Sequence, residues 1–200
     1  ELLKRLSPEE GWQHARLWGR LFGMFKAANN FDIYDPASGR IVLECREDTL
    51  GFWTKWFRFT KYKRLTPFDV AIRLPEGGQV VRVTRGISVF LSKVTVLDEN
   101  DSVIGGFRQR ISLGGSFEVL DSNDRVLCNL KGKWTGWDFR FEFQGQEFAH
   151  VTKKWAGLGK ELFTSADNYM LSISDKVGKD NPLRKLILGA VVCIDMVLKE

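Results

Sequence analysis

From Phe31 onward, apolar residues recur at every second position, in short runs rich in Val, Ile and Phe that Gly, Asp and Asn interrupt. Alternation of this kind marks strands with one buried face. Phe31-Asp32-Ile33-Tyr34-Asp35 runs into a turn over 36–39 and returns as Ile41-Val42-Leu43. Val70 to Leu74 and Gln79 to Thr84 flank Pro75-Glu76-Gly77-Gly78, a hairpin signal. One small pattern occurs three times: Phe31-x-Ile33-x-Asp35, Val94-x-Val96-x-Asp98 and Phe117-x-Val119-x-Asp121. In each, the Asp is expected to start a turn by accepting backbone N–H bonds, and an apolar pair follows as the return strand. Phe139, Phe141 and Phe143 alternate before Gly145 turns into Phe148 and Val151. The spacing predicts a meander of about ten or more strands.

Both ends of the chain read as helix. Ser7-Pro8-Glu9-Glu10 places a capping hydroxyl, a proline at the first helical position and a Glu at the third. Trp12, Ala15, Trp18, Leu21, Phe22 and Phe25 follow at helical spacing, with Gln13, Arg16 and Arg20 on the polar side. Residues 1–30 are therefore expected to carry an amphipathic helix. Gly19 and Gly23 weaken it by up to about 1 kcal/mol each, so it needs something to pack against.

At the other end, Asn181 can cap, Pro182 takes the first helical position, and Leu183 to Leu198 is nearly all apolar. A helix over about 182–198 that is apolar around most of its circumference must be buried on most sides. A sheet that closes around it hides the helix and removes its own exposed edges. The expected fold is mostly β: a closed antiparallel barrel over 31–200 threaded by its C-terminal helix. Asp195 interrupts that helix, and is expected near the barrel mouth or paired with a barrel cation.

Composition adds bounds. Hydrophobic residues make up 44%, with 7 Trp, 3 Tyr and 15 Phe, enough for a full core. Three widely spaced cysteines, Cys45, Cys128 and Cys193, argue against a disulfide scaffold and fit a reducing, cytoplasmic setting. No secretory leader reads at the start, where Glu1, Glu9 and Glu10 stand in place of a basic region. The longest apolar run, Leu186 to Ile194, falls well short of the roughly 20 residues of a membrane span. No transmembrane span is expected.

Enzymatic signals are poor. His14 and His150 are the only histidines, and no metal-binding His or paired-Cys spacing, phosphate loop or Gly-x-Ser-x-Gly accompanies them. Neither a catalytic residue nor a cofactor is expected.

The sharpest compositional feature is Phe52-Trp53-Thr54-Lys55-Trp56-Phe57-Arg58-Phe59-Thr60-Lys61-Tyr62-Lys63-Arg64, with six aromatics, five cations and no acid. A strand with rings inward and cations outward accounts for part of it. The adjacent pairs Phe52-Trp53 and Trp56-Phe57 break that alternation and would expose one ring of each. Exposed rings beside cations suit an anionic bilayer surface, where Trp sits at headgroup level and each cation adds about 1 kcal/mol of attraction. They equally suit single-stranded nucleic acid, whose bases stack on rings and whose phosphates meet cations. The N-terminal segment, with Trp12 and Trp18 near Arg16 and Arg20, favours lipid. Lys131-Gly132-Lys133-Trp134-Thr135-Gly136-Trp137 and Lys153-Lys154-Trp155 through Lys160 repeat the style, and each either extends a cationic rim or plugs the barrel with Trp.

The stretch from Val151-Thr152-Lys153-Lys154-Trp155 through Ala166-Asp167-Asn168-Tyr169 resembles the corresponding part of the phospholipid scramblase family. So do the terminal helix ending in Ile194-Asp195-Met196-Val197-Leu198-Lys199-Glu200 and the hairpin from Phe117 to Asp121. The likeness covers roughly residues 31 to 200. That family is similar to the C-terminal domain of tubby proteins and to plant LURP-one-related proteins, which implies a twelve-strand barrel around a central C-terminal helix. For function, the resemblance implies peripheral binding of anionic phospholipid membranes and phospholipid scrambling. Nucleic-acid binding, as proposed for some tubby relatives, and a protein-interaction scaffold are the alternatives. The family's acidic calcium segment falls on Ser165 to Lys176, where Ser165 replaces the opening acid and Lys176 the closing one. Calcium takes six to eight oxygens, so no tight calcium site is expected. The residues expected to meet lipid or another anion are Trp53, Lys55, Trp56, Arg58, Lys61, Lys63 and Arg64, with Arg16, Arg20, Lys131 and Lys133.

Overall fold

The computed structural model of the chain describes residues 8–9, 12–19, 30–35, 38–47, 67–87, 93–110, 116–133, 138–152 and 168–198. Two strands, Pro8–Glu9 (β1) and Trp12–Gly19 (β2), precede a long meander. Its strands are Phe31–Tyr34 (β3), Ile41–Arg46 (β4), Phe68–Arg73 (β5), Gln79–Arg85 (β6), Lys93–Leu97 (β7) and Val103–Arg110 (β8). It continues through Ser116–Asp121 (β9), Val126–Lys133 (β10), Asp138–Phe143 (β11), Gln146–Thr152 (β12) and Asn168–Ser174 (β13), and Leu183–Leu198 follows as helix α1. From β3 to β13 each strand pairs with the next in sequence, giving an eleven-strand antiparallel sheet. β2 pairs antiparallel with β13 and with β3, and β1 adds a short pairing on β2.

The expected helix over the N-terminal segment is corrected here: Trp12–Gly19 is a strand. Seven of its positions align with β13 and four with β3, so backbone groups are bonded on both sides. A short helix containing Gly19 has no comparable return. The period-two signal was present beneath the helical one, since Ala15 and Leu17 alternate with His14, Arg16 and Trp18. Leu17 sits in register with the buried residues Ile33 and Tyr169.

The Asp-led turns form as the pattern predicts. Asp98 Oδ1 accepts the backbone N–H groups of Asn100 and Ser102, each at 2.9 Å. Asp121 Oδ1 accepts those of Asn123 at 2.8 Å and Arg125 at 2.9 Å. Asp35 Oδ2 accepts the backbone N–H of Ser38 at 3.3 Å and its hydroxyl at 2.7 Å. Asp101 and Asp124 occupy the left-handed region at φ 57° and 60°, a conformation Asp tolerates through local hydrogen bonds.

Helix α1 sets the core. Leu186, Ile187, Leu188, Ala190, Val191, Val192, Cys193 and Ile194 are all buried, which covers every side of the helix. Inward residues from the sheet meet them, among them Val70, Ile72, Val81, Val83, Val94, Val96 and Phe107. Each fully buried Leu or Ile contributes roughly 1.5–3 kcal/mol. At the helix start the Leu183 N–H donates to Asn181 Oδ1 at 2.9 Å, with Pro182 between, as the capping signal implies. Arg184 is buried, and its guanidinium donates to the carbonyls of Val177, at 2.7 and 3.0 Å, and of Gly178 at 3.1 Å. It thereby ties the first turn of the helix to the segment entering it.

At Gly189, α1 lies close against the sheet: a Cβ there would lie 3.2 Å from Val83 and 3.5 Å from Val96 side-chain carbons. Replacing Gly189 with Leu should cost about 1–3 kcal/mol through overpacking. Gly189→Ala should cost far less, because a gain in helix propensity of about 1 kcal/mol offsets one tight contact. Urea unfolding of the two variants against the parent checks the ordering.

Candidate functional site

An antiparallel meander sorts its connections into two sets, one at each end of the strands. At the first end lie the tight turns over 35–40, 74–78, 98–102, 121–125 and 144–145, together with the 175–182 segment that leads into α1. Those segments carry nine acids against four cations and no aromatic residue. Lys185, in the first turn of α1, pairs with Glu99 of one such turn, and that hydrogen bond holds the Glu99 carboxyl below its ordinary range.

At the opposite end, strands are joined from Gly19 to Phe31, Arg46 to Phe68, Arg85 to Lys93, Arg110 to Ser116, Lys133 to Asp138, and Thr152 to Asn168. The linking stretches are 20–30, 47–67, 86–92, 111–115, 134–137 and 153–167. They contain ten cations and four acids, and five of the seven tryptophans: Trp53, Trp56, Trp134, Trp137 and Trp155. The three aromatic, cationic stretches that stand apart in the sequence are thus anchored at one end of the sheet.

The individual candidates divide accordingly. Trp53, Lys55, Trp56, Arg58, Lys61, Lys63, Arg64 and Arg20 lie outside the described residues. Arg16 sits in β2, in register with Tyr34 and Met170. Lys131, on β10, is exposed, with its Nζ 3.6 Å from Glu142. Lys133 is the last residue of β10, opposite Asp138. Of the calcium segment, Ser165 lies outside the described residues, and Asp175 and Lys176 are exposed beside the turn after β13. Among the described residues, no group of three or more His, Cys, Asp or Glu is placed to hold a metal ion.

Among the described residues, the interior offers little for bond chemistry. All three cysteines are free and buried. Burial pushes the Cys45 and Cys128 thiols up to about 12, and the Cys193 thiol upward as well, against the opposing charge of Arg85. A protonated thiol in an apolar setting is a poor nucleophile. Arg85 is itself buried, with its guanidinium carbon 4.8 Å from the centre of the Phe68 ring. Asp32 is fully buried, and accepts from Arg46 Nη2 at 2.7 Å, which also contacts Glu44 at 3.0 Å. Sequence reading passed over these groups because a charged residue at an alternating strand position looks like a solvated one.

On the outer wall, the side chain of His150 lies 2.8 Å from Asp138 Oδ1, and Arg140 Nε lies 3.5 Å from the same oxygen. Burial works to raise the Asp138 carboxyl. Hydrogen bonding and charge from His150, aided by Arg140, outweigh it and hold the group below its ordinary range.

The Scramblase family model matches residues 17–200. Among solved structures, the fold is similar to that of a protein from Arabidopsis thaliana determined by X-ray crystallography. That likeness has 16% identity, covers 98% of this chain and 95% of that chain, and has a TM-score of 0.56. It speaks to the fold alone. No curated protein sequence gives a significant match.

The Asp138 geometry gives a titration prediction. A depressed carboxylate stabilises the fold at pH above the ordinary Asp value of about 3.9, and that contribution is lost as pH falls through the lowered one. NMR titration should find Asp138 ionising below that value, and His150→Gln should move its midpoint upward. An unchanged midpoint in the variant would show that His150 is not the cause.

Proposed function

Because the chain belongs to the scramblase family, we propose that it is a non-enzymatic module that binds anionic phospholipid membranes peripherally, through the aromatic and cationic end of its sheet. The observation that supports this most is the segregation of side chains between the two ends of the strands. Five tryptophans and a surplus of cations belong to connections at one end, and a surplus of acids to the turns at the other. Tryptophan rings prefer the headgroup layer, and cations are drawn to phosphate and to the negative potential of the cytoplasmic leaflet. In this reading the protein is cytoplasmic and peripheral. No helix among the described residues is long and apolar enough to cross a bilayer. Scrambling, which moves lipids without making or breaking bonds, is the transport activity that family membership suggests.

The architecture behind the reading is the closed twelve-strand barrel around α1. The pairing of β2 with both β13 and β3 supports it, as does the burial of α1 on all sides. Within it, Lys55, Arg58, Lys61, Lys63 and Arg64 attract phosphate, and Trp53 and Trp56 enter the headgroup layer. Binding does not call for calcium, given Ser165 and Lys176 at the two ends of the segment where acids would be needed.

The test is flotation of the purified protein with neutral and anionic vesicles, at low and high salt, with and without calcium. Expected is binding to anionic vesicles that salt weakens and calcium leaves unchanged. Neutralising the five cations of 55–64 should reduce it by two orders of magnitude or more, at about 1 kcal/mol for each cation near the surface, while the fold is retained. Failure to float under every condition, with salt-sensitive retention of a single-stranded oligonucleotide instead, would replace lipid with nucleic acid.

A further inference from the structure

The register of the sheet assembles a surface that no single strand reveals. Arg110 pairs with Ser116, Ser116 with Lys131, Lys131 with Arg140, Arg140 with His150, and His150 with Ser172. The buried neighbours Phe117, Leu130, Phe139, Phe141, Ala149 and Val151 all face the core. Strand alternation therefore turns the row to the outer wall. Three cations, a histidine and two hydroxyls follow one another across six strands without an acid. The row starts at the aromatic, cationic end, where Arg110 closes β8 and Ser116 opens β9.

Acids stand beside this row, but they hold its cations loosely. Glu118 is engaged by Arg108 at 2.6 Å and reaches Arg110 only at 3.3 Å. Lys131 is 3.6 Å from Glu142, and Arg140 is 3.5 Å from both Asp138 and Glu147. Side chains of Arg110, Lys131 and Arg140 are 60%, 63% and 49% exposed, against 13% for Glu118, 31% for Glu142, 45% for Asp138 and 28% for Glu147, so the cation of each pair stands in water. Ion pairs this exposed are worth about 0–1 kcal/mol, so exchanging a carboxylate for a phosphate costs little. From β8 to β12 the row spans four strand spacings, about 19 Å of surface. That is room for several phosphate groups side by side.

We propose that this outer row on β8–β12 is a second contact surface for anionic phospholipid headgroups, so that the sheet leans onto the membrane along that wall rather than standing upright on its end. The proposal rests on the lipid reading above and adds a direction to it. Its charge is already in place at the surface, and its phosphate ligands are those of a bilayer.

Two triple variants of the full chain test it. One is Arg110→Gln/Lys131→Gln/Arg140→Gln. The other, Arg125→Gln/Lys176→Gln/Lys179→Gln, removes the same number of positive charges at the acidic end. Affinity for vesicles of phosphatidylcholine with phosphatidylserine is measured for both and for the parent, and circular dichroism confirms folding. The row variant should lose affinity on the order of a hundredfold, at about fivefold per cation, and the control should stay within a few-fold of the parent. Arg110→Lys/Arg140→Lys, which keeps the charge, should retain most of the binding. Equal losses in both triple variants would reduce the effect to net charge and overturn the row. An unchanged row variant, on a parent that binds, would also overturn it while leaving the lipid reading intact. Loss of oligonucleotide binding alone would assign the row to nucleic acid and end the proposal. A parent that binds no vesicles would end both.

Discussion

Everything in this structure follows from a helix that has no side fit for water. Eight residues between Leu186 and Ile194 are buried, and they fall on every face of α1. A flat sheet covers one face of a helix and leaves the other wet. The chain meets the requirement with a long antiparallel meander whose inward side chains lie against the helix. Close approach then dictates details. Gly189 lets the helix lie against Val83 and Val96. Gly105, at φ 153°, leaves room where any Cβ would meet the Leu120 carbonyl oxygen at 2.1 Å. The entering segment has to be pinned, which Arg184 does by donating to two backbone carbonyls. Buried backbone carbonyls must be satisfied by something, and a long fork-shaped donor reaches two of them from one position on the helix.

The same meander produces two chemically distinct ends. Turns at one end must be tight, because consecutive strands there are separated by only a few residues. Asp, Asn, Gly and Pro are the residues that make such turns, so this end becomes acidic and loses its rings for reasons of backbone geometry alone. Three of the connections at the other end, 20–30, 47–67 and 153–167, are longer, and the demand of a tight turn does not account for their composition. The contrast between the ends is therefore informative on one side only. Acids in the turns are explained by the turns, whereas tryptophans and lysines in the long connections are not explained by any turn.

Much of the fold could be read from the sequence, and the failures have physical causes. The hairpins at Asp98 and Asp121 were legible because a short side chain at a fixed offset determines the turn. The C-terminal helix was legible because Asn181, Pro182 and an unbroken apolar run agree with one another. The first segment was misread because Trp12, Ala15 and Trp18 satisfy a helical period while Ala15 and Leu17 satisfy a period of two. Only the partners of β2, far away in sequence, choose between them. Candidate site residues fared differently. Lys131 is found exposed on β10, but the cations in line with it, Arg140 on the next strand and Arg110 two strands away, come from elsewhere in the sequence. A single strand shows one cation at an alternating position, and the row exists only after the register is known.

Net charge alone would have said little about a partner, since a surplus of five in 200 residues is ordinary for a soluble chain. Placement says more. The Debye length at physiological salt is about 8 Å, so acids at the far ends of the strands are screened from whatever meets the tryptophans. A surface approaching the cationic end therefore feels the local surplus rather than the diluted total. The loose pairs on the outer wall obey the same logic at shorter range. Glu118 and Glu142 are near enough to temper Arg110 and Lys131, yet at 3.3 and 3.6 Å from cations that are themselves exposed they hold them weakly. Such a wall carries no penalty when the protein is free in solution, and yields its cations when a denser array of phosphates replaces the carboxylates. If the proposed lipid contact holds, reversible and salt-sensitive attachment follows from that balance, without any change of fold and without burying a charge.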